Sequence, residues 1–186
     1  EDVRSVGVAK PDWVGFVVNY PPSRRNVAPE RVRELRSLLA PGIVPVGVFV
    51  DRPTDEIAAL LNDGTIDVAQ LHGDEGREYI EALREKAPGR EIWKAFKIRA
   101  AEDLRAARIC VADMVLLDAG RGDGETFDWE LTRGFDRPFI LAGGLTPENI
   151  PDAIAVARPC GVDISSGVET NKQKDGDKII AAVEAA

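Results

Sequence analysis

The sequence predicts an α/β protein, a (β/α)8 TIM barrel with seven strands readable and the first strand missing from the given sequence. Three observations predict it. Short β-branched apolar runs begin at positions 13, 44, 68, 91, 114, 138 and 161, separated by 31, 24, 23, 23, 24 and 23 residues. Charged, helix-forming stretches fill the intervals, and the runs themselves are apolar almost throughout. Alternation at a steady period implies right-handed βα units and a parallel sheet. Nearly continuous apolar strands imply that both sheet faces are covered. No composition shift marks a strand-order switch, so the even spacing favours a closed barrel over an open doubly wound sheet.

Each element follows from local chemistry. The opening residues Glu1-Asp2-Val3-Arg4-Ser5-Val6 read as a helix already under way. The strands are 13–19 (WVGFVVN), 44–50 (VPVGVFV), 68–72 (VAQLH), 91–98 (EIWKAFKI), 114–118 (MVLLD), 138–143 (PFILAG) and 161–165 (GVDIS). Helix starts stand at Pro29-Glu30, Thr54-Asp55-Glu56 and Thr146-Pro147-Glu148, each pairing a proline or capping residue with early acid. Apolar spacing of three and four marks one helix face at Ile57, Leu60 and Leu61, and the next at Tyr79, Ile80 and Leu83. One further period places the absent first strand about 10 to 18 residues before Glu1. A seven-stranded remnant would expose two parallel edges. An intact mass equal to these 186 residues alone would overturn that expectation. Residues 1–186 are expected to form one barrel domain, and the length is ample for its core.

Composition narrows the function. Twenty-four Lys and Arg against 32 Asp and Glu leave a net charge of −8. That argues against a nucleic-acid or anionic-membrane partner, which needs clustered basic residues. An anionic ligand must then be held by a few local donors. No run reaches the roughly 20 apolar residues of a membrane span. No basic-then-apolar leader opens the sequence. Two cysteines, Cys110 and Cys160, point to a reducing compartment with no disulfide framework, and a cytoplasmic protein is expected.

In such barrels the chemistry lies at the C-terminal ends of strands and in the loops that follow. There stand Asn19 and the loop with Arg24 and Arg25, then Asp51, Gln70, His72, Lys97, Asp118, Gly143-Gly144, Asp163 and Ser165-Ser166-Gly167. Gly143 and Gly144 with Ser165, Ser166 and Gly167 form the expected phosphate site. Glycines let backbone N–H groups approach an anion, and serine hydroxyls add donors. Asp118 closes an apolar strand and is a candidate general acid; a structural Asp capping the next turn is the alternative. The stretch 120–124 reads as a lid or as an ordinary connection. Gln70 and His72, two apart, share a face. His72 is either a substrate ligand or a histidine bonded at the rim. Arg24 and Arg25 are a planar clamp for a carboxylate or a solvated pair. Asp163 is a charge in an apolar strand, which requires a partner, from substrate or from a neighbouring strand. Both cysteines fall at the opposite strand ends and read as small buried hydrophobes. One histidine and no cysteine pair offer no metal cluster, and no nucleotide fingerprint follows a strand.

The motifs 15–17 (GFV), 22–25 (PSRR), 46–50 (VGVFV), 70–73 (QLHG), 116–118 (LLD), 126–129 (TFDW), 142–149 (AGGLTPEN) and 162–169 (VDISSGVE), in this order, span nearly the whole chain. Together they resemble the phosphoribosylanthranilate isomerase family of tryptophan biosynthesis. The resemblance implies a cofactor-free Amadori rearrangement of a small phosphosugar, N-(5-phosphoribosyl)anthranilate. It implies Asp118 as general acid and Arg25 as the contact to the anthranilate carboxylate. The glycine and serine loops would then hold the phosphate, with Asp163, Gln70 and His72 as further substrate contacts. The family's general base is a cysteine ending the first strand, in a segment expected just before Glu1, and no residue here stands in for it. A polypeptide lacking it is expected to be inactive, and one that carries it in a segment before Glu1 is expected to be a whole enzyme. The loop after Asp118 is also a few residues short, reading Arg121-Gly122-Asp123-Gly124 where the family has Gly-Gly-Thr-Gly. A non-catalytic phosphate-binding barrel is one alternative. Another is a related phosphosugar enzyme, such as indole-glycerol-phosphate synthase or a dual histidine/tryptophan isomerase. Those would share the phosphate loops, but not the 70–73 and 126–129 motifs together. Monomer and homodimer both stay open.

Overall fold

The computed structural model describes residues 2–118 and 128–186. The expected lid at 120–124 and the first half of the 126–129 motif lie outside the described residues. The fold divides into two compact units, one formed by residues 10–95 with 111–113, the other by the remaining described residues.

The first unit carries β1 (Trp13–Val18), β2 (Asn26–Val27), α2 (Pro29–Arg36), β3 (Val44–Phe49), α3 (Thr54–Asn62), β4 (Val68–Leu71), α4 (Arg77–Lys86) and most of β5 (Glu91–Lys97). Its strands run β2-β1-β3-β4-β5, every pairing parallel. Register separates two faces. Val17, Val48, Gln70 and Trp93 form one row, and Phe49, Leu71 and Lys94 form the next, on the opposite face. Phe49 and Leu71 are fully buried, as are Ile57 and Leu61 of α3 and Ile80 and Leu83 of α4. Each such side chain contributes about 1.5–3 kcal/mol by leaving water.

The second unit holds α1 (Asp2–Ala9), α5 (Leu104–Arg108), β6 (Met114–Asp118), β7 (Phe139–Ala142), α6 (Ile150–Ala157), β8 (Gly161–Asp163) and α7 (Gly176–Ala185). Strands β6-β7-β8 are parallel, and a small antiparallel hairpin joins β9 (Glu169–Thr170) to β10 (Gln173–Lys174). Among the described residues no helix is long and apolar enough to cross a membrane.

The seven predicted strands are all present, and several expectations need correction. The strand β2 adds a fifth strand to the parallel sheet of the first unit. It is two residues long, too short to show a period, and it forms because Asn26 and Val27 pair with Val17 and Val18 at the edge of β1. The helix expected at Thr146 starts at Ile150, because Asn149 Oδ1 accepts the Thr146 N–H at 2.8 Å and holds 146–149 as a turn. The β9–β10 hairpin went unread; Asn171 and Lys172 make its turn in the left-handed region, at φ 53° and 64°. Neither cysteine is buried. Cys110 is half-buried and Cys160 exposed, since each sits in the connection entering a strand and not within it.

Candidate functional site

The singled-out residues lie at C-terminal strand ends in both units, and each group is built within its own unit. In the first unit, Asn19 and Asp51 stand one and two residues beyond β1 and β3 in the left-handed region, at φ 50° and 48°, which Asn and Asp tolerate best among residues with a Cβ. They turn the chain out of the sheet. Arg25 is half-buried and Arg24 exposed. The Arg25 N–H donates to Ser23 Oγ at 3.1 Å, and β2 follows directly, so the turn bearing Arg25 is tied back to β1. Gln70 is buried inside β4, in register with Trp93, whose ring meets Trp13 edge-on at 5.5 Å. His72 follows β4; its N–H donates to the Phe49 carbonyl at 2.8 Å.

Sequence reasoning missed two residues here. Glu75 and Lys94 are both buried, with Lys94 Nζ 3.3 Å from Glu75 Oε2. Glu75 also accepts the Asp51 N–H and the Gly73 N–H, each at 2.9 Å. Lys94 donates to the Gly73 carbonyl at 2.7 Å and the Ala95 carbonyl at 3.1 Å. Asp51 Oδ1 accepts the Asp74 N–H at 2.7 Å. The signal was a lysine inside the apolar run of β5, costly unless paired. Tyr79 lies beside this network and donates its hydroxyl to the Arg52 carbonyl. Burial, then the nearby carboxylates of Glu75, Asp51 and Glu56, pushes its phenol up to about 12.

In the second unit, register sets Asp118, Ala142 and Asp163 in one row across β6, β7 and β8. Both carboxylates are half-buried at strand ends. The Asp118 carbonyl accepts the Ile98 N–H at 2.8 Å. Gly143 and Gly144 then turn the chain at φ 88° and 65°, a conformation that favours glycine. Asn149 braces this loop, donating to the Gly144 carbonyl at 3.0 Å while it accepts from Thr146. Ser165 and Ser166 are exposed after β8. Gly167 packs against the Leu145 carbonyl so closely that no Cβ fits. The loops 143–145 and 165–167 therefore meet, as the sequence reading required of a shared anion site. Lys174 Nζ holds the Ser165 carbonyl at 2.7 Å and pairs with Glu169 at 3.4 Å. Glycine backbone and exposed hydroxyls side by side can offer several donors to one oxyanion.

A family model described as N-(5'phosphoribosyl)anthranilate (PRA) isomerase matches residues 8–185. The chain belongs to the phosphoribosylanthranilate isomerase family. Its function class is accordingly that of an isomerase of tryptophan biosynthesis, and its fold class is the (β/α)8 TIM barrel. It is 41% identical over 186 residues to the N-(5'-phosphoribosyl)anthranilate isomerase of Lacticaseibacillus casei (strain BL23), covering 100% of this chain and 89% of that protein. It is similar to a solved phosphoribosyl anthranilate isomerase in complex with reduced 1-(o-carboxyphenylamino)-1-deoxyribulose 5-phosphate, at TM-score 0.87 and 34% identity, over 100% of this chain and 92% of that one. It is also similar to mutually generated monomers of the dimeric phosphoribosylanthranilate isomerase from Thermotoga maritima, at TM-score 0.86 and 34% identity, with the same coverage of both chains.

Proposed function

We propose that this chain converts N-(5-phosphoribosyl)anthranilate to 1-(2-carboxyphenylamino)-1-deoxyribulose 5-phosphate. The observation that carries this reading is the register row Asp118, Ala142 and Asp163, of which Ala142 and Asp163 lead into the apposed loops 143–145 and 165–167. Asp118 protonates the furanose ring oxygen as the bond from that oxygen to the anomeric carbon breaks, and the ring opens to a Schiff base. Loss of the C2 proton to a base gives an enolamine, which tautomerises to the ketone. The sequence of steps moves protons alone, so the proposal includes no cofactor.

Arg25 meets the anthranilate carboxylate, where a planar guanidinium fork matches a planar acid. Gln70, His72 and Asp163 contact the sugar and amine. Backbone N–H groups of Gly143, Gly144 and Gly167, with the Ser165 and Ser166 hydroxyls, hold the phosphate. The family match runs through both units, which supports one domain over the chain. A cytoplasmic location fits a biosynthetic isomerase. The assembly is a monomer or a homodimer, and a Thermotoga maritima relative is described as dimeric. The test is to mix the full-length protein with phosphoribosylanthranilate and follow loss of anthranilate-type fluorescence. Steady loss with first-order dependence on protein supports the reading; no turnover rejects it.

A further inference from the structure

We infer that the buried Lys94–Glu75 pair is the positioning device for His72, acting on its backbone from the opposite face of the sheet. The inference rests on the proposed role of His72 as a substrate contact. Register sets Lys94 beside Leu71, and Gln70 beside Trp93. Alternation then turns Lys94 away from the face that carries Gln70 and His72. Lys94 does not reach the ligand; it reaches the backbone that presents it.

The peptide groups on both sides of His72 are held. Before it, the His72 N–H donates to the Phe49 carbonyl at 2.8 Å, and Lys94 Nζ lies 3.4 Å from the Leu71 carbonyl. After it, Glu75 takes the Gly73 N–H at 2.9 Å and Lys94 takes the Gly73 carbonyl at 2.7 Å. The same Glu75 carboxylate accepts the Asp51 N–H at 2.9 Å, which ties the turn after β4 to the turn after β3. Gly73 completes the fit, since a Cβ there would enter the Asp51 carboxylate and lie 2.8 Å from the Asp51 nitrogen. Two opposite charges with side chains 7% and 1% exposed are costly to bury. Apart from the Lys94 bond to the Ala95 carbonyl, their backbone bonds among the described residues fall on the end of β4 and on the turns after β3 and β4. Three of these bonds, to the Leu71 carbonyl and to the Gly73 N–H and carbonyl, flank the one presented side chain.

The test is a double-mutant cycle on the full chain, read by binding of reduced 1-(o-carboxyphenylamino)-1-deoxyribulose 5-phosphate and by thermal melting. Binding is measured at least about 15 °C below each variant's Tm, so that folding does not enter. Lys94→Met and His72→Ala are each expected to weaken binding about tenfold, and together no more than about tenfold. Glu75→Gln, which keeps the volume and loses the charge, is expected to match Lys94→Met. Losses that multiply to about a hundredfold, or a lowered Tm with unchanged binding in Lys94→Met, would overturn the inference. An unchanged affinity in His72→Ala would overturn it as well. His72 is the chain's single histidine, so its imidazole gives one set of ring proton resonances. If the wild-type chain fails to bind the analogue, the proposed function fails, and these resonances decide the inference alone. Collapse of that one set toward random-coil positions in Glu75→Gln, with the methyl and amide resonances of the rest of the fold still dispersed, upholds it; an unchanged set, or collapse of the whole spectrum together, sinks it.

Discussion

Gly167 stands against the carbonyl oxygen of Leu145 with no room for a side chain between them. This contact joins the loop after β7 to the loop after β8, and the Gly167→Ala substitution tests it. The added methyl must push backbone against backbone, so the loops part. Affinity for the reduced product analogue is expected to fall about tenfold, or about 1.4 kcal/mol. Gly7→Ala is the control: it meets nothing within 4 Å in α1, and helix propensity should raise stability by about 0.5–1 kcal/mol. Calorimetric titration and melting curves read the two changes.

Asp118→Asn keeps the shape of the β6 terminus and removes the proton that opens the ring. Turnover is expected to fall by about 10²–10⁴, the range general acid catalysis supplies. Binding of the reduced analogue should change less than about threefold. Retention of the wild-type rate in stopped-flow fluorescence would remove Asp118 from the acid role.

Arg25→Lys keeps the charge and loses the fork. The expected result is a fall of about tenfold in affinity for the reduced analogue, with ribulose 5-phosphate, which lacks the aromatic acid, bound as before. Equal loss for both ligands in isothermal titration would place Arg25 elsewhere.

Asp175 caps α7, accepting the Asp177 and Lys178 N–H groups and the Thr170 hydroxyl at 2.6 Å. The Thr170 hydroxyl first, then the Lys178 N–H, holds its carboxyl below the ordinary 3.8. A carboxyl lowered in the folded state stabilises above its unfolded value, and that stabilisation is lost as pH falls through the folded value. Asp175→Ala should therefore lower Tm at neutral pH, with the gap to wild type closing as the pH drops below about 3.8. Melting curves from pH 7 down to about pH 2 check the sign.

The legible part of the fold was whatever repeats. Runs such as 44–50 and 114–118 declare themselves because parallel strands covered on both faces must be apolar along their length. The strand ends were legible for the same reason, and with them Asp118, Asp163 and the two glycine-serine loops. Asn26 and Val27 were not legible, since two residues carry no period and their strand exists only through the edge of β1. The start of α6 was misread because Thr146-Pro147-Glu148 is a sound helix signal that the Asn149 side chain overrides. Glu75 escaped notice because its burial depends on Lys94, 19 residues away, and no local pattern announces such a pairing. Even Lys94 was visible only as an oddity within β5.

That dependence bears on how the sequence can drift. Loss of either Glu75 or Lys94 alone strands the other charge in the interior, a change that typically costs about 3–5 kcal/mol, whereas joint replacement by well-packed apolar residues can be nearly neutral. That cost is a large share of an ordinary domain's stability. As far as stability alone is concerned, sequence space around this chain therefore holds two connected islands, one with both charges and one with neither. The passage between them is narrow, and a lineage crosses it most readily by changing both codons before selection acts on either.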